Sequence, residues 1–85
     1  MAYTVEFRPA AARALRKLPE AERKRIGARI DALLANPRPA GAKRLAGLDQ
    51  LYRIRAGDDR IIYQIRDAVL LVLVVKIGHR REVYR

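Results

Sequence analysis

Arg53, Arg55 and Arg60 bracket the turn signal Ala56-Gly57-Asp58-Asp59, and the chain alternates apolar and polar residues on both sides of it. A β-hairpin centred on Gly57-Asp58 sets Ile54 against Ile61 and Tyr52 against Tyr63 on one face. The other face then sets Arg55 against Arg60 and Arg53 against Ile62. Like charges directly opposite in a sheet destabilise it by some tenths of a kcal/mol up to about 1 kcal/mol. Either an anionic partner turns that cost into a use, or Asp58, Asp59 or Glu82 neutralises the pair. Guanidinium groups suit phosphate, because two parallel N–H donors can meet two oxygens. The same face takes Gln64 and, where the next strand is adjacent, Lys76. Further on, His79 is the side chain that titrates unperturbed near neutrality. Beside Arg80 and Arg81 it reads either as an acid or base or as a phosphate contact. Glu82 reads as a second possible base or as their ion-pair partner.

Several elements must hold these residues. Tyr3-Thr4-Val5-Glu6-Phe7 alternates with period two and predicts a half-buried strand. Pro9 suits the first turn of a helix whose apolar stripe is Ala11, Leu15 and Leu18. Pro19 separates it from a second helix, from near Pro19-Glu20 to about Ala35, with Glu20 and Glu22 where the helix dipole favours acids. Its stripe is Ile26, Ile30, Leu33 and Leu34, and Asn36-Pro37-Arg38-Pro39 stops it. Residues 36–50 read as a Pro/Gly-punctuated connection that carries Lys43-Arg44 and is anchored by Leu45 and Leu48. After the hairpin and a turn at Arg66-Asp67, Val69 to Ile77 is apolar on both faces apart from Lys76, as a central strand requires. The predicted class is α+β, ordered β-α-α-β-β-β, with two antiparallel helices packed on one face of a mainly antiparallel sheet. The arginine face is then a concave basic surface opposite the helices.

Composition bounds the function. A chain of 85 residues has room for a single domain, residues 1–85, and a hydrophobic fraction of 51% argues for a packed core despite a net charge of +10. The basic surplus is spread over both halves, so it belongs to a folded surface that attracts nucleic acid, an anionic membrane or an acidic protein. The lack of cysteine removes disulfides, Cys-bound zinc and thiol catalysis. A single histidine argues against a metal site, and no cofactor is expected. The N-terminus lacks an export signal and the apolar run Ala68 to Val75 is too short to span a bilayer, so a soluble cytoplasmic protein is expected.

Tyr52-Arg53-Ile54-Arg55-x-Gly57-Asp58-x-Arg60-Ile61-Ile62-Tyr63, followed by Gly78-His79-Arg80-Arg81-Glu82-Val83-Tyr84, resembles the RelE family of the RelE/ParE toxin superfamily. The resemblance covers nearly the whole chain, including the Leu18-Pro19 break, the Asn36-Pro37 stop and Leu45-x-Gly47. It implies the toxin of a type II toxin–antitoxin system, a ribonuclease that enters the ribosomal A site and cuts the exposed codon of messenger RNA. Its implied partner is a small acidic RelB-like antitoxin, and whether their complex binds operator DNA through the antitoxin stays open. By position, Arg53 and Arg55 match the family's basic pair before the turn, and Arg60 the arginine that begins the next strand. Tyr84 matches the tyrosine of the terminal Glu-Val-Tyr, and Arg80 or Arg81 the arginine of the preceding loop. Two departures stand out: the segment between Gly78 and Glu82 is shorter than in the best-studied members, and antitoxin contacts through the helix that some members carry beyond the tyrosine cannot be assumed.

The implied cut is metal-independent, the 2′-hydroxyl attacking its own phosphodiester. It needs a proton acceptor, a stabiliser of the phosphorane charge and a donor for the leaving oxygen. Arg60, with Arg53 and Arg55, suits the electrostatic clamp. Tyr84 is the candidate base by resemblance, though an unperturbed tyrosine titrates near pH 10 and needs nearby cations. Alternatively it stacks on a base or fills the sheet edge. Arg80 or Arg81 takes the donor role by resemblance. Lys43 and Arg44, with the helical cations, read as positioning contacts to ribosomal RNA or as solvated surface, and His79 and Lys76 as RNA contacts. Two rival readings are a ParE-like inhibitor of DNA gyrase and a non-catalytic basic module that binds RNA or protein.

Overall fold

β1 (Thr4–Phe7) alternates exposed and half-buried side chains, as period two demands. The computed structural model describes residues 2–45 and 50–79 of the chain. Helix α1 (Pro9–Lys17) starts on its proline and buries Ala11. Leu18 takes an extended conformation ahead of Pro19, which ends α1, since a residue before proline avoids the α region. Helix α2 (Glu20–Ala35) buries Ile26, Ile30 and Leu33 and ends at extended Asn36, for the same reason ahead of Pro37.

The rest of the described chain is β: β2 (Lys43–Arg44), β3 (Leu51–Ala56), β4 (Asp59–Arg66), a single 3-10 turn (Asp67–Val69) and β5 (Leu71–His79). The strands form one sheet in the order β1-β5-β4-β3-β2. β1 runs parallel to β5 and every other pairing is antiparallel. Ala11, Ile26, Ile30 and Leu33 share one core with Ile54, Ile61, Tyr63, Ile65, Val72, Val74 and Ile77, so both helices cover the same face.

Two expectations need adjusting. The connection 36–50 contains β2, a two-residue strand too short to carry an alternation signal; Leu48 lies outside the described residues. Val69, read as the start of the last strand, belongs to the 3-10 turn and is 66% exposed. Leu70 follows in the left-handed region with its N–H donated to the Asp67 carbonyl, so regular pairing begins at Leu71.

A bulge sets the phase of β5. Ile62 stands opposite Lys76 and Tyr63 opposite Val74, which makes Val75 an extra residue. Val72 and Val74 face the helices, and unbroken alternation would send Lys76 after them into the core. The extra residue resets the phase: Lys76 shares the helix-free face with Ile62, while Ile77 returns to the core beside Ile61.

Candidate nucleic-acid interface

The hairpin register is the one alternation requires: Ile54 pairs with Ile61, Tyr52 with Tyr63, Arg53 with Ile62 and Arg55 with Arg60. Paired residues share a face, and the first two pairs join the core, so the arginines occupy the helix-free face. Two rows cross it. One runs Arg55, Arg60, Gly78, and the other Lys43, Arg53, Ile62, Lys76. Towards the opposite end the face turns less basic, with Leu51, Gln64, Leu73 and Glu6 in the next row. The cations are therefore concentrated near the hairpin turn.

Arg60 is the unusual member. It is only 5% exposed, and among the described residues its buried Nε has no hydrogen-bond partner. A buried guanidinium lacking compensation is costly, and its cross-strand neighbour Arg55 adds repulsion. Among the described residues none of Arg53, Arg55 and Arg60 has an ion pair. Asp59 alternates to the helix side with Ala56 and does not share the face of Arg60. Such a site can bind an anion through charge and through donors already fixed in place.

Other expected site residues fall elsewhere. Lys43 pairs with Arg53 and joins the arginine face, whereas Arg44 pairs with Tyr52 and alternates to the helix side. His79 pairs with Asp59, again on the helix side. Both line a cavity of about 390 Å³ between the helices and the β3–β4 turn, which also holds Lys17, Glu22, Arg25 and Asp58 around apolar Leu18 and Ile77. Arg80, Arg81, Glu82 and Tyr84 lie outside the described residues.

The hairpin tip is braced from α2. Gly57 has φ +64°, and a Cβ there would stand 2.6 Å from Nη1 of Arg25. The turn needs glycine for its backbone angle, whereas the Arg25 guanidinium, the far end of an exposed side chain, can move aside.

At the far end of the sheet is a network that pattern reading missed. Arg38 donates to both carboxylate oxygens of Asp67, at 2.8 and 3.2 Å, and through Nε to the Tyr52 hydroxyl at 3.1 Å. Its guanidinium carbon also lies 5.5 Å from the Tyr52 ring centre. Tyr3 donates to Asp67 at 2.6 Å, and buried Tyr63, stacked on Tyr52, donates to the Pro37 carbonyl at 2.8 Å. The hydrogen bonds from Arg38 and Tyr3 hold the Asp67 carboxyl down at about 2. Its acceptor role pushes the Tyr3 hydroxyl up, and burial pushes Tyr63 up to about 12. The network ties the chain after α2, which leads into β2 and Lys43, to β3 and to the β4–β5 turn. Its members are up to 64 residues apart, so no local spacing announces it.

Comparison with known proteins agrees with this architecture. Residues 5–84 match the family model of the ParE toxin of type II toxin–antitoxin systems. The mRNA interferase toxin RelE of Escherichia coli K12 is 33% identical over 88 residues, covering 99% of this chain and 92% of that protein. The isolated E. coli RelE toxin superposes with a TM-score of 0.83 at 31% identity, over 98% of this chain and 92% of that one. The archaeal RelE–RelB complex from Pyrococcus horikoshii gives 0.83 at 30% identity, over 96% and 99%. Among the described residues no helix is long and apolar enough to cross a membrane.

Proposed function

From the premise that the chain belongs to the ParE toxin family of type II toxin–antitoxin systems, as a RelE-type toxin within it, we propose that it is a ribosome-dependent endoribonuclease that cuts messenger RNA in the A site. The observation that carries this reading is the basic face itself, with Arg60 nearly buried beside Arg55 and its Nε without a partner among the described residues. Paired guanidinium charges favour a phosphate on this face, and the phosphorane formed by 2′-hydroxyl attack carries more negative charge for them to stabilise. Arg53, Lys43 and Lys76 carry the strand along the second row. His79 stands on the other side of the sheet by alternation, so the proton acceptor is sought in Tyr84 or Glu82 and the leaving-group contact in Arg80 or Arg81.

The antitoxin is proposed to be a small acidic RelB-like protein. Its charge would complement a chain carrying +10, and the Pyrococcus horikoshii relative is seen in complex with RelB.

The test adds purified protein to translating ribosomes and maps the messenger ends. Codon-phased cuts with 5′-hydroxyl ends are expected, and Arg60→Ala should lower the cutting rate about 10²- to 10³-fold, the size of losing one preorganised charge-stabilising donor. Intact messenger together with blocked DNA supercoiling overturns the reading in favour of gyrase inhibition.

A further inference from the structure

Lys43 stands at the outer edge of the arginine face, on a strand too short to fix its own place. β2 is two residues long, both exposed, and meets only β3, through Lys43–Arg53 and Arg44–Tyr52. The chain that leads into it, Pro39-Ala40-Gly41-Ala42, carries no polar side chain and is tightened by one turn, from the Ala42 N–H to the Pro39 carbonyl at 2.9 Å. The anchor lies just before it. Arg38 donates from Nη1 and Nη2 to the Asp67 carboxylate and from Nε to the Tyr52 hydroxyl, with its guanidinium against the Tyr52 ring. Tyr52 is also the residue that Arg44 pairs with. Residues 38–44 thus form a loop closed on Tyr52 at both ends, by a guanidinium at one and by strand pairing at the other. A lone exposed ion pair fixes little, but a guanidinium fork on a carboxylate sets direction as well as distance.

We infer that the Arg38–Asp67 clamp is a positioning device for RNA: it holds Lys43 in the row of Arg53, Ile62 and Lys76, where the ammonium meets a backbone phosphate. Tyr52 pairs with Tyr63 on the helix side, so Arg38, bound to Tyr52, acts through Lys43 and does not itself touch the strand. Asp67 then favours the binding of a polyanion against the sign of its own charge. The inference rests on the proposed reading of the arginine face as an RNA site.

The experiment measures binding of a short single-stranded RNA over a range of salt, with urea unfolding of each full chain and cutting of messenger on translating ribosomes alongside. Wild type is compared with Asp67→Asn, Arg38→Lys and Lys43→Ala, and the first two substitutions are repeated on the Lys43→Ala background. Asp67→Asn removes a negative charge, so charge alone makes RNA bind more tightly. The clamp has the opposite consequence: weaker binding, with a log–log salt slope shallower by about 0.7, one phosphate contact's worth. Arg38→Lys keeps the charge and loses the fork, so it should weaken binding by the same amount. On the Lys43→Ala background neither substitution should change the slope further. Asp67→Asn that folds and binds as tightly as wild type, or more tightly, overturns the inference. So does an undiminished loss from Arg38→Lys on the Lys43→Ala background, since the effect would then not pass through Lys43. Unfolding of both single variants overturns it as well, because the network would then serve the fold as a whole. A wild-type chain that shows this pattern and leaves messenger intact sinks the ribonuclease reading alone, and one that binds no RNA sinks both.

Discussion

Arg60 and Asp67 show opposite ways of holding a charge. Asp67 is solvent-accessible and satisfied twice, by Arg38 and Tyr3, whereas Arg60 is buried with an unmet donor. Because Asp67 is held at about 2, it contributes stability that is fully present above its unfolded value near 4. That contribution is lost as pH falls through about 2, so urea midpoints should drop over this window, and Asp67→Asn should flatten the drop. Tyr63, raised to about 12, acts at the other extreme. The unfolded phenol ionises near 10 while the folded one stays neutral, so stability should fall as pH rises through about 10 to 12. Tyr63→Phe strands the Pro37 carbonyl and should lower unfolding free energy by about 1–3 kcal/mol at neutral pH, the cost of a buried group left unsatisfied. Chemical denaturation of the variant checks it.

The β3–β4 hairpin carries the site, and its tip tolerates substitution poorly at Gly57. Gly57→Ala forces a side chain into left-handed backbone, which disfavours the fold by about 1–2 kcal/mol, and places its Cβ against Arg25. Adding Arg25→Ala should recover only part of this loss, since it relieves the contact and leaves the angle; a double-mutant cycle in urea separates the two. Helix α2 acts on the site indirectly. Ile26 and Leu33 are fully buried against the sheet, and truncating either to alanine should lower stability by about 2–5 kcal/mol. Both helices were legible from stripe and proline, because helix stops depend on neighbouring residues. β2 was not, because two residues show no period.

At the scale of the molecule, the surplus of positive charge divides between two layers. Arg13, Arg16, Arg23 and Arg29 are exposed on the helices, while Lys43, Arg53, Arg55 and Arg60 lie on the other side of the sheet. Affinity for a short single-stranded RNA should fall steeply with salt, with a log–log slope of about −0.7 for each phosphate neutralised. The double substitution Arg53→Ala, Arg55→Ala should make that slope shallower by about 1.4, two phosphate contacts' worth. Arg13→Ala with Arg16→Ala should leave it unchanged, since those arginines face away from the strand. A titration series at several salt concentrations decides between the layers.

The sequence by itself determined what local periodicity can determine. It set both helices and their stops, the hairpin and its register, and hence Arg55 opposite Arg60 with Ile54 opposite Ile61, because alternation fixes which residues share a face. Tertiary structure decided what depends on residues far apart in the chain. β1 closes on β5 as a parallel edge. Arg38 and Asp67, from two separate connections, meet Tyr3 from the segment before β1. A single extra residue in β5 turns Lys76 and Gly78 toward the arginines and His79 toward the helices. The burial of Arg60 follows only from the assembled sheet. The basic face was therefore readable from the chain, and the unmet donor within it was not, since hydrogen-bond satisfaction is a property of neighbours in space.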